Sequence, residues 1–128
     1  MRLTNYLESL EEEDALTALR KMGNTFYRQI VRHPEKLTVH FQAVSEIADA
    51  EVAERLRLGY ESYAVYFSKV IQRGIEQGTI RKDADVDTVA LALNGLGVFM
   101  DMTRLLSCKG TFREEFLGNV LEILLSIR

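Results

Sequence analysis

A chain of 128 residues with 47% hydrophobic and 27% charged side chains and a net charge of −3 has the composition of one folded domain with a core, not of a disordered segment. Its sixteen basic residues are scattered, whereas phosphate binding needs them gathered into a stripe, so direct binding of nucleic acid by this chain is not expected. The longest apolar stretch, Val89 to Met100, carries Asn94 and falls short of the ~20 residues of a membrane span.

No signal peptide is legible after Met1. The lone Cys108 allows no internal disulfide, which makes a reducing cytoplasm the expected compartment. Pro34 is the only proline, and apolar residues recur at helical spacing almost throughout. The expected fold is all-α: one domain over residues 1–128, an antiparallel bundle of about five to six helices.

In chain order, Asn5 with Glu8 three residues later suits the cap of a first short helix. The acidic run Glu11 to Asp14 suits the N-terminal turn of a second, reaching about Arg32. "HP" at 33 and 34 stops that helix, and Pro34 fits the first position of the next, "PEKLTVHFQAVSEIA". Asp49 caps a long helix from Ala50 to about Gln77, with Glu51/Arg55 and Glu54/Arg57 on its wet side and Gly78 as a left-handed stop. Asp85 caps the next, with Asp87 in its first turn, running to about Ser107. Thr111 and Glu114 form a capping box for a last helix that continues to the C-terminus.

The long helix carries one amphipathic stripe, Val52, Leu56, Gly59/Tyr60, Tyr63, Tyr66/Phe67 and Val70/Ile71, with three tyrosines in one two-turn stretch. A buried phenol must find a hydrogen-bond partner, so a core built for stability alone favours Leu and Ile. The tyrosines read either as side chains snorkelling to the rim of an ordinary core or as the wall of a cavity for an apolar ligand with a few polar handles. The helix from Val86 is apolar on nearly every side, which means cover from more than one direction. On a helical wheel Val89, Leu93, Leu96 and Met100 fall together, with Leu91, Asn94, Val98, Asp101 and Leu105 roughly opposite. Ala90, Ala92, Gly95 and Gly97 would admit another backbone. The last helix is similarly broad, so the last two helices are expected to pair with a second copy as a four-helix bundle.

These features resemble the C-terminal effector-binding and dimerisation domain of TetR-type transcriptional regulators. The resemblance rests on "RHPEKL" opening a helix, on "VIQRGIEQGTIRKDADVDTVALALNGLGVF" and on the amphipathic terminal helix. It implies a homodimer through the last two helices and a cavity for a small effector inside each domain. It also implies a helix-turn-helix head that releases an operator when the effector binds, and no stretch of this chain reads as such a head. The chain thus resembles the sensing half of a repressor without its reading half.

The expected effector is a hydrophobic small molecule, lined by Phe26, Phe41, Tyr60, Tyr63, Phe67, Leu93, Asn94, Leu96 and Met100. The expected dimer interface takes Leu91, Val98, Leu105, Phe116, Val120, Leu121 and Leu124. No cofactor, metal site or catalytic residue is expected. His33 and His40 lack the Glu-x-x-His spacing of a di-iron bundle, and no Ser/His/Asp set, CxxC or phosphate loop is present. The rival reading is a helical dimerisation or adaptor module with a filled core and no small ligand.

Overall fold

The computed structural model describes residues 14–106, 108 and 115–126. The expected first helix at Asn5 and Glu8, most of the acidic run and the Thr111/Glu114 capping box lie outside the described residues. The described residues form an all-α bundle of five helices with no strand among them. These are α1 (Ala15–Arg32), α2 (Pro34–Ser45), α3 (Ala50–Gln77), α4 (Val86–Leu105) and α5 (Phe116–Leu125).

The boundaries follow local chemistry. Asp14 precedes α1 and its carboxylate accepts from the backbone N–H groups of Leu16 and Thr17 at 3.3 and 3.1 Å. These bonds satisfy two of the donors that every helix start leaves without partners. The Thr17 hydroxyl, which also donates to Asp14, holds that carboxyl below its ordinary value. Pro34 opens α2, where its missing N–H costs nothing. Asp49 accepts from the N–H of Glu51 at 2.9 Å, and Asp85 from that of Thr88 at 3.1 Å. α3 ends at Gly78, whose φ of 78° lies in the left-handed region that a residue without Cβ enters freely. On its wet side Arg55 meets Glu51 at 3.0 Å, and Arg57 pairs with both Glu54 and Glu61.

The turn between α3 and α4 is a packed corner. Ile80 is fully buried there, and the N–H groups of Thr79 and Ile80 donate to the Gly74 carbonyl at 2.9 and 3.1 Å. The Arg81 N–H reaches the Leu125 carbonyl at 3.0 Å, tying the corner to the end of α5. Gly74 is required by this packing: a Cβ at that position would overlap the Ile80 side chain and stand 2.9 Å from Ala15 Cβ. Around the corner sits the main core, in which Leu19, Ile71, Ile80 and Leu125 are the largest fully buried side chains. A smaller cluster of Leu37, Met100 and Leu117, with Phe26, Tyr27 and Phe116 against it, closes the other end of the bundle. α3 packs most extensively on α4, and α1 on α5.

Candidate ligand cavity

Between the two clusters the helices do not close on one another. A cavity of about 330 Å³ remains, walled by all five helices. From α3 come Arg55, Leu56, Gly59, Tyr60, Tyr63 and Phe67, spaced three or four apart so that they share a face. From α4 come Leu93, Asn94, Gly97, Val98 and Asp101, again one stripe. Leu19, Met22, Gly23 and Phe26 of α1, Leu117 and Leu121 of α5, and His40 of α2 complete the wall.

Two glycines help to explain why space is left. Gly59 and Gly97 lie in the middle of the α3 and α4 stripes. A Cβ at Gly59 would meet nothing within 4 Å, and one at Gly97 only the Phe26 ring at 3.7 Å. Gly23 is different, because Leu117 already fills its place at 3.0 Å. The lining is mainly apolar, with Tyr63 stacked on Phe67 at a centroid distance of 6.4 Å.

The polar groups gather at the α2 side. His40 Nε2 and the Tyr60 hydroxyl share a hydrogen bond of 2.8 Å, and Asn94 Nδ2 donates to the Tyr60 carbonyl at 3.1 Å. The Asp101 carboxyl also lines the cavity. Its Oδ1 is buried and has no hydrogen-bond partner among the described residues. Burial alone pushes this carboxyl up to about 6, since a charge taken out of water favours its neutral form. Burial likewise raises the Tyr60 and Tyr63 phenols, with the nearby Asp101 charge a second cause at Tyr60. Arg55 stands at the mouth, its side chain 79% exposed and paired with Glu51.

Of the residues expected to line a cavity, Phe26, Tyr60, Tyr63, Phe67, Leu93 and Asn94 come together here, whereas Phe41, Leu96 and Met100 do not. Phe41 stands edge-on to His40 at 5.5 Å, outside the wall. Leu96 packs on the main core and Met100 in the smaller cluster. The physical reason is the rotation of α4 about its axis. Its core face carries Val89, Leu93 and Met100, and the cavity face lies about one residue further round.

The residues expected at a dimer interface divide in the same way. Leu91 is 72% exposed and Leu105 also reaches the surface. Val98 faces the cavity, Leu121 is buried beside it, Leu124 packs on the main core and Phe116 on the smaller cluster. Val120 is half-buried. The small residues of α4 do not form one surface either: Ala90 is buried, Gly97 lines the cavity, and Ala92 and Gly95 face outward.

Gly59 lies on the stripe that the sequence offers as a cavity wall, whereas His40, Asp101 and Gly97 are not expected there from the sequence. One signal for Asp101 was present. Between Thr88 and Thr103 the only polar side chains are Asn94 and Asp101, seven residues apart and hence on one face. No such signal marks His40, whose approach to Tyr60 depends on how α2 crosses α3. His33 lies 3.2 Å from Glu35 at the surface, and among the described residues no group of three or more His, Cys, Asp or Glu side chains could hold a metal ion. Among them, too, no helix is long and apolar enough to cross a membrane. No family model, curated protein or solved structure matches the chain.

Proposed function

We propose that this chain is the sensing and dimerisation half of a TetR-like transcriptional regulator, working in the cytoplasm and taking a largely apolar small molecule as its effector. The cavity carries this reading. Its volume of about 330 Å³ falls in the range of small-molecule sites, and its apolar wall with a few convergent polar groups has the usual make-up of one. An adaptor with no ligand has no use for such a space, because its apolar walls are left unpacked against one another. The chemistry of the wall favours binding over catalysis: the cavity histidine is bonded to the Tyr60 phenol, whose acid form burial favours, and among the described residues no Ser, Thr, Cys or Lys lines the cavity.

The second copy would cover the outward stripe of α4. Leu91, Phe99 and Leu106 are 72, 54 and 65% exposed, Met102 and Leu105 lie between them, and Ile123 of α5 adds 62%. An isologous four-helix interface about a two-fold axis would cover these exposed apolar side chains of the last two helices.

Two measurements test the reading. A thermal-shift screen with apolar small molecules, indole and octanol among them, should find ligands that stabilise the parent. At a hundredfold excess over the dissociation constant the gain is ~2.7 kcal/mol. Gly97→Leu fills the cavity and should abolish the shift; equal shifts in parent and variant would remove the cavity from the account. In sedimentation the parent should be a dimer and Leu91→Glu with Ile123→Glu a folded monomer. A monomeric parent at micromolar concentration would leave only the sensing part of the reading.

A further inference from the structure

We infer that the ligand of this cavity is an apolar amine, held through its ammonium group by the Asp101 carboxylate. This inference rests on the reading of the cavity as a ligand site and narrows the chemistry of what enters it.

The argument is one of unmet charge. The titratable side chains on the wall are His40 from α2, Arg55, Tyr60 and Tyr63 from α3, and Asp101 from α4; α1 and α5 contribute none. His40 and Tyr60 are bonded to each other, and Arg55 is turned to Glu51 in solvent. No cation of the wall is therefore committed to Asp101, whose buried Oδ1 has no hydrogen-bond partner among the described residues. A carboxylate with one oxygen buried and unpartnered is costly to ionise, and a cation brought by a ligand to the side of the group that borders the cavity offsets that cost.

The three classes of apolar ligand differ in what they do to this group. A hydrocarbon or a simple alcohol excludes water from the cavity and supplies at most one neutral donor. A fatty carboxylate adds a second negative charge to a wall whose arginine is already paired. An ammonium group neutralises the carboxylate through a charge-assisted hydrogen bond, roughly twice as strong as a neutral one, while its alkyl or aryl body meets the Tyr63, Phe67 and Leu93 side of the wall. Because burial raises the empty site's carboxyl to about 6, the amine must find Asp101 already ionised. Affinity should rise with pH through that value, and binding near it should release a proton.

The experiment compares octylamine, octanol and octanoate, which share one apolar body, by isothermal titration of the full chain and of Asp101→Asn. Octylamine should bind the parent at least about tenfold more tightly than octanol at about pH 8, with octanoate weakest. Asp101→Asn should bring octylamine down to the affinity of octanol and leave octanol unchanged. Lowering the pH to about 5 should weaken octylamine alone. Octanol or octanoate binding the parent as tightly as octylamine would overturn the amine and leave the cavity standing, as would an octylamine preference that survives in Asp101→Asn. Failure of all three to bind would overturn the amine and the cavity reading together.

Discussion

The two ends of α3 are built from the same residue types and do opposite things. Toward its C-terminus Phe67, Val70, Ile71 and Gly74 are all buried, and Gly74 exists because Ile80 and Ala15 occupy the place of its side chain. Toward its N-terminus, from Ala50 to Tyr66, no residue is fully buried, and Gly59 faces space. The contrast teaches that a glycine in a helix has no fixed meaning. At one end it allows contact; at the other it helps to leave a void.

The sharpest test of that contrast is at the packed end. Ile80→Ala should cost about 2–5 kcal/mol in chemical denaturation, the range for emptying a fully buried aliphatic position. Leu56→Ala, at the half-buried wall of the cavity, should cost much less. Comparable losses at both sites would mean that the cavity end is packed as tightly as the corner.

The next effect compares the glycine of the corner with its surroundings. Gly74→Ala should destabilise by about 1–3 kcal/mol, because the new methyl group has to displace Ile80 and Ala15 in a filled core. A gain in stability would show that the corner has slack.

Asp101 gives an effect of opposite sign and a pH signature. Its carboxyl lies at about 6 in the folded protein against an ordinary 3.8, so the folded state keeps a proton that the unfolded chain has already released. This group therefore favours folding most at acid pH, its contribution falls as pH rises through that window, and above it the cost of the buried anion is constant. Asp101→Asn should stabilise the protein on the order of 1–2 kcal/mol at about pH 8, a figure reduced from the full shift for screening by solvent at the cavity. The gain should shrink toward about pH 4. A gain independent of pH would assign it to packing instead.

The smallest effect lies at the other glycine. Gly59→Ala should stabilise by roughly 0.5–1 kcal/mol, the helix preference of alanine over glycine with no clash to oppose it. Thermal melts of this variant beside Gly74→Ala should therefore move in opposite directions, and a shift in the same direction would erase the distinction between the two ends.

What the sequence by itself determined were the helices and most of their limits; α2 ends at Ser45 and α5 at Leu125, short of the expected Ala48 and C-terminus, where neither Gly nor Pro marks the stop. Asp14, Asp49, Asp85, Pro34 and Gly78 act on backbone groups within a few residues of themselves, so their meaning is local and legible. The tyrosine stripe of α3 was legible for a related reason, since that helix has a polar face to set its phase. The tertiary structure decided how α4 and α5 are turned. Both are apolar nearly all round, and a helix without a polar face carries no internal mark of which side meets the core, the cavity or another molecule. That is why Leu96 and Met100 went to the core while Val98 and Leu121 went to the wall. The same holds for Gly59, Gly74 and Gly97: the residue is identical in the chain, and only the neighbours brought to it by folding settle whether it is filled or left empty.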